Sequence, residues 1–225
     1  MRPGSPTSPS PPPGTVTVPG AFDYQAPSAT AVTSAPDPSV VGQPVTFTAT
    51  VTGVPPETGT PTGTVTFDFG DGSAPAAVSV VDGTATAQYA YPGTSGSPYT
   101  VTATYGGDGD FTGSVGTETH TVQPAPTTTL VGSSPDPSVS GQPVTATATV
   151  AAQAPGAGTP TGSITFTFGD GSPTVTAPLA AGTASVTHTW TGTSGSPYTV
   201  TANYNGSVNH APSTGTTALA VTTPG

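Results

Sequence analysis

Proton transfer near neutral pH needs a side chain that titrates there, and in this chain only His120, His188 and His210 qualify. Their positions do not converge. His188 shares the phase of Ala184 and Val186 in an alternating segment, and His120 closes another such segment, so both are expected to pack inward with a polar tip. His210 falls in a loop. No Gly-x-Ser-x-Gly nucleophile turn is present, and no pair of carboxylates recurs where two segments would meet over a pocket. Cysteine is absent, which removes thiolate nucleophiles, disulfides and Cys-ligated zinc together. The expectation is a chain that is not an enzyme, with no catalytic, cofactor-binding or metal-ligating residue assigned and no cofactor.

The carboxylates are the other chemistry to weigh. Asp71 and Asp170 each sit in a Phe-Gly-Asp-Gly-Ser string, where a short acidic side chain can bond the backbone ahead of it; turn capping is the expected role. Asp108-Gly109-Asp110 places two carboxylates around a glycine, a pattern that suggests Ca²⁺, although such an ion takes six or more converging oxygens. The single tryptophan, Trp190, offers a face for a sugar ring, but its parity with Ala184, Val186 and His188 directs it to the edge of a core. Asn205-Gly206-Ser207 fits a glycosylation acceptor and equally a tight hairpin turn, the reading preferred here.

Charge excludes whole classes of partner. Lys and Arg together number 1 against 11 Asp and Glu, the one cation being Arg2, for a formal charge of −10. Neither a phosphate backbone nor an anionic lipid surface can be held by such a chain, so no nucleic-acid partner is expected. A P-loop, a Schiff-base lysine and a Lys isopeptide staple are excluded with them. No apolar run is long enough to cross a membrane, and none follows Arg2 as a secretory leader would require.

The elements that must position these residues come in duplicate. Shifted by 99 residues, Pro36-Asp37-Pro38-Ser39-Val40 falls on Pro135-Asp136-Pro137-Ser138-Val139, and Gly93 to Ala103 on the same string from Gly192. The register also aligns Tyr89 with His188, Tyr91 with Trp190, Phe111 with His210 and His120 with Leu219. Within each copy the period is two: Val45, Phe47, Ala49 and Val51 alternate with threonines, as do Val65, Phe67 and Phe69, and Tyr99, Val101, Ala103 and Tyr105. Turn residues bound each run, at Gly70-Asp71-Gly72, Asp82-Gly83 and Gly106-Gly107, and no helical spacing persists over ten residues. These features predict an antiparallel sandwich of about seven strands per copy. The expected divisions are a disordered Pro-rich tail over 1–28, repeat 1 over 29–123, a semi-rigid Pro-rich linker over 124–127 and repeat 2 over 128–222. Thr15–Val18 and Ala21–Tyr24 could be remnants of strands within that tail. Large aliphatics are few, Leu130, Leu179, Leu219 and Ile164 beyond valine, so modest stability is expected.

Taken in order, Ser134-Pro135-Asp136-Pro137-Ser138-Val139, Gly141-Gln142-Pro143-Val144-Thr145, Gly158 to Phe166 and Tyr198 to Tyr204 resemble the bacterial Ig-like domain repeat of the group 3 type. The Phe-Gly-Asp-Gly-Ser strings also resemble the turn of PKD-type sandwiches. The resemblance implies an all-β fold of two tandem Ig-like antiparallel β-sandwiches behind the Pro-rich tail. It further implies a non-catalytic, extracellular or cell-surface module, a stalk or spacer or an adhesive segment within a larger bacterial protein. Repeat 1 departs from it at Gly113, where repeat 2 has Pro212. The partners it implies are other domains of such a protein, with a glycan or protein ligand as the alternative, met by a monomer through loops at one end of a sandwich. The 53–63 loop is the candidate there, because Gly53 to Thr58 differs from Ala152 to Ala157 while the flanking segments agree.

Overall fold

The computed structural model describes residues 24–225. The tail, as far as residue 23, and the segment 15–18 lie outside the described residues. Repeat 1 consists of β1 (Ser28–Ala35), β2 (Ser39–Val40), β3 (Val45–Gly53), β4 (Thr64–Asp68), β5 (Ala76–Ser79), β6 (Thr84–Tyr89), β7 (Tyr99–Tyr105), β8 (Ser114–His120) and β9 (Val122–Gln123). Repeat 2 follows with β10 (Thr127–Ser134), β11 (Ser138–Val139), β12 (Pro143–Ala152), β13 (Ser163–Thr167), β14 (Val175–Pro178), β15 (Thr183–Thr189), β16 (Tyr198–Tyr204), β17 (Ser213–Leu219) and β18 (Val221–Thr222). Seven main strands per copy form two antiparallel sheets, ordered β1-β3-β6 and β5-β4-β7-β8, then β10-β12-β15 and β14-β13-β16-β17. In each copy a two-residue strand pairs in parallel with the segment after the last main strand, β2 with β9 and β11 with β18.

Period-two alternation places the core. Along β3, Val45, Phe47, Ala49 and Val51 are buried and face Val65, Phe67 and Phe69 and then Val101, Ala103 and Tyr105 across the sandwich. Each fully buried large side chain contributes about 1.5–3 kcal/mol, so the aromatics supply what the missing leucines would. The threonines between them line the outer faces. β1 and β8 lie on different sheets yet close together along one side, and Gly116 makes that closure fit: a β-carbon there would collide with the Thr30 carbonyl oxygen. Gly215 does the same beneath the Thr129 carbonyl oxygen in repeat 2.

Two expected boundaries shift. Ser28, assigned to the tail, opens β1, and Ala26 before it is buried, its N–H donating to the Asp110 carbonyl at 2.7 Å. The linker expected over 124–127 is likewise built into repeat 2. Thr127 begins β10, and Ala125 is fully buried, donating to the Asn209 carbonyl at 2.9 Å and accepting from the Ala211 N–H at 2.8 Å. Proline spacing suggests an extended chain, and the small alanine between the prolines is buried and bridges to His210.

Candidate functional site

The Phe-Gly-Asp-Gly-Ser turns are capped as expected, and each aspartate has a second task. Asp71 Oδ1 accepts from the Ser73 N–H at 3.0 Å while Oδ2 accepts from the Tyr89 hydroxyl at 2.6 Å. Asp170 accepts from the Ser172 N–H at 3.1 Å and hydroxyl at 2.6 Å, and its Oδ2 meets His188 Nε2 at 2.7 Å. Burial works against the charge on Asp170, but Ser172 and His188 outweigh it and hold the carboxyl at about 2. His188 is half-buried, stacked on Phe168 with ring centroids 3.9 Å apart and meeting Trp190 edge-on. The aspartate partner was not visible in the spacing, since Asp170 lies in the turn after β13 and His188 on β15, 18 residues further on.

Asp108 is spent on the backbone. Its Oδ2 accepts from the Thr62 N–H and hydroxyl at 2.7 and 2.8 Å, and its Oδ1 from the Asp110 and Phe111 N–H groups at 2.9 and 2.7 Å. The Thr62 N–H foremost, with those other donors, holds this carboxyl well below its usual range despite desolvation. With two donors on each oxygen, the carboxylate has no lone pair left free for an approaching cation. Asp110 is exposed, and no cluster of three or more His, Cys, Asp or Glu residues suited to a metal occurs among the described residues. In repeat 2, Ser207 stands in for Asp108, its hydroxyl accepting from the His210 N–H at 3.2 Å.

Trp190 is 1 % exposed and donates from Nε1 to the Phe168 carbonyl at 3.1 Å, as Tyr91 donates to Phe69 at 3.0 Å in repeat 1. It is a core residue, closed to a sugar. Asn205 turns the chain at Gly206 and reaches with Nδ2 to the Ser163 and Thr165 hydroxyls, at 3.0 and 3.1 Å.

One constellation has the connectivity of a hydrolytic triad. Ser39 Oγ is 2.9 Å from His120 Nε2, and Asp37 Oδ1 is 3.5 Å from His120 Nδ1. Ser39 is 1 % exposed and His120 fully buried, and the Asp37 oxygen is engaged by the Thr121 N–H at 3.0 Å. A nucleophile must reach its substrate. Two clefts of repeat 1 lie at the other end of its strands, one of about 340 Å³ lined by Gly53, Glu57, Pro61 and Asp82, the other of about 390 Å³ lined by Tyr24, Glu57, Asp110 and Phe111. Tyr24 is 81 % exposed there. His210 is buried at the corresponding end of repeat 2, in Phe111's place, with Nε2 unpartnered.

Beside His210 the two repeats touch. The Ala157 N–H donates to the Val41 carbonyl at 3.0 Å; the Thr94 N–H donates to Asn209 Oδ1 at 3.0 Å, and the Thr94 hydroxyl to the Val208 carbonyl at 2.9 Å. Gly42 admits the approach, for a β-carbon there would strike Ala157.

Paired antiparallel sandwiches of this strand order, with no helix among the described residues, are Ig-like modules. The family model of the bacterial Ig-like domain (group 3) matches residues 32–123 and again 130–223, and the chain belongs to that family. No curated protein matches the sequence. Among solved structures the chain is similar to the full ectodomain (Ig1–Ig3) of mouse nectin-like molecule 4, at 14 % identity and TM-score 0.37 over 89 % of this chain and 66 % of that one. It is similar also to the Yersinia pseudotuberculosis adhesin InvE, at 17 % and 0.39 over 85 % and 58 %, and to red sea bream transglutaminase, at 12 % and 0.36 over 86 % and 31 %. The chain thus spans less than two thirds of each.

Proposed function

We propose that this chain is a non-catalytic spacer, a stalk segment of a bacterial surface or secreted protein whose product is distance, and that its partners are the neighbouring domains of that protein. The observation that carries the reading is the junction. Hydrogen bonds from the Ala157 N–H to Val41 and from Thr94 to Val208 and Asn209 tie one sandwich to the next, and the docked Ala125 leaves little free chain between them. Strands of up to 10 residues make each sandwich about 30 Å long at 3.3 Å per residue, and two in series roughly double that. Threonine outer faces and a net charge of −10 keep open sheet edges apart in solution and the chain monomeric. Small-angle scattering on the full chain tests this: an elongated, concentration-independent particle supports the spacer, and a compact or self-associating one overturns it.

A second reading, recognition of a glycan or protein, is favoured by one feature, the pair of clefts flanking the Glu57–Pro61 loop with Tyr24 exposed beside them. Reproducible glycan-array binding that Tyr24→Ala abolishes would replace the spacer reading with this one.

A further inference from the structure

His120 ends β8 in the interior of repeat 1, and its surroundings fix the hydrogen on one ring nitrogen. Ser34 donates its hydroxyl proton to Glu118 Oε1 at 2.7 Å, and its N–H to the same oxygen at 2.9 Å. With that proton committed, Ser34 Oγ has only lone pairs to offer His120 Nδ1 at 3.0 Å, so Nδ1 carries hydrogen. Burial disfavours a second proton on the ring, and in the neutral form Nε2 is bare and accepts from the Ser39 hydroxyl at 2.9 Å. The imidazole is neutral, and the relay Ser39–His120–Ser34–Glu118 crosses from β2 through β8 to β1.

The groups facing the ring from the elements around it are few. Asp37, in the turn between β1 and β2, lies 3.5 Å from Nδ1, and Glu118 lies two residues back on β8. Tyr91 stacks on the ring at 5.3 Å and 12°, Phe47 of β3 meets it edge-on at 5.4 Å, and Tyr99 of β7 is its cross-strand neighbour. No lysine or arginine occurs among the described residues. A proton arriving at Nε2 would turn it into a donor facing the Ser39 hydroxyl proton. The hydroxyl proton must then rotate away so that Oγ accepts from Nε2–H, which leaves that proton only a longer contact of the kind its counterpart Ser138 makes with the Val139 carbonyl at 3.3 Å in repeat 2. The cation formed would be fully buried against aromatic rings.

We propose that this relay is an acid-sensitive latch: protonation of His120 loosens β1 and β2 from β8 and opens repeat 1 by a route closed to repeat 2, where Leu219 fills the same place. The inference stands apart from the spacer reading and holds whichever partner the chain meets. Burial holds the imidazole below its ordinary 6.5, and the attraction of Asp37 and Glu118 offsets this only in part. The sign follows. Well above 6.5 the ring is neutral folded and unfolded, and the stability of repeat 1 is complete. Below it the unfolded chain takes up a proton that the folded repeat refuses, and stability falls until the folded value is reached, by up to about tenfold in the unfolding equilibrium per pH unit.

The test uses the full chain. Urea unfolding is followed from about pH 7.5 to about pH 5, across the imidazole range, with repeat 1 read by its folded-state amide NMR signals and repeat 2 by the fluorescence of Trp190. The expected result is a midpoint for repeat 1 that drops on acidification in the wild type and is held in His120→Leu, the residue the second copy uses, with the Trp190 transition unmoved by the substitution. An equal acid loss of repeat 1 in His120→Leu overturns the latch. Should that variant not fold, NMR titration of the wild-type imidazole decides: titration below the ordinary histidine value supports the latch, and titration at or above it overturns it.

Discussion

At position 116 one methyl group decides whether two sheets can close. Gly116 faces the Thr30 carbonyl and Gly215 the Thr129 carbonyl, both backbone atoms that cannot step aside. Gly116→Ala and Gly215→Ala should each destabilise their repeat by about 1–3 kcal/mol, the usual range for overpacking, measured as a lowered urea midpoint. Asp170 makes a second residue-scale prediction. Its carboxyl is held at about 2 against an ordinary 3.8, so the stability it contributes is present above about 3.8 and is lost as pH falls through 2. Trp190 fluorescence should show repeat 2 losing urea resistance across that interval, with a shallower loss in Asp170→Asn. Much at this scale was legible beforehand: the parity of Trp190 with Val186 placed it in the core, and the short side chains of Asp71 and Asp170 marked capped turns. The buried relay was not, because Ser34 and Ser39 lie more than 80 residues from His120 in sequence and nothing local in a serine or histidine announces such a partner.

Strands were the plainest elements to read, since threonine alternating with valine, alanine or an aromatic leaves only one face to bury. Their lengths are irregular: β5 and β14 run four residues, while β12 runs ten. The short parallel pairs β2–β9 and β11–β18 carried no periodic signal, two residues being too few to show one. Hairpin chemistry separates the copies. At both β5–β6 and β14–β15 a two-residue turn is closed by reciprocal backbone bonds, between Val81 and Thr84 at 2.8 and 2.9 Å and between Ala180 and Thr183 at 2.9 and 3.0 Å. Repeat 1 places Asp82 at φ 49° and repeat 2 places Ala181 at φ 47°. Alanine bears the left-handed conformation poorly, whereas asparagine tolerates it through its own backbone bonding. Ala181→Asn should therefore stabilise repeat 2 by about 1 kcal/mol, the lower end of the left-handed cost that asparagine escapes, read as a raised melting temperature.

For the whole molecule the matter is how the two sandwiches are joined. The repeat was evident from its unbroken 99-residue register, but the join was not, because Thr94 and Asn209 differ in nothing from other loop residues until the fold sets them side by side. Ala125, buried between two prolines, and Gly42, open to Ala157, convert what the sequence suggested as a spacer peptide into a fitted contact. The chain holds no cysteine, so spin labels can be confined to two introduced sites on exposed outer faces, Thr86→Cys in repeat 1 and Thr187→Cys in repeat 2. Pulsed dipolar spectroscopy on that pair should give one narrow distance distribution, broadened when Asn209→Ala and Thr94→Ala remove the bonds at the joint. A broad distribution in the otherwise unaltered chain, the mark of two sandwiches swinging freely, would contradict the account of this protein as a spacer of set length.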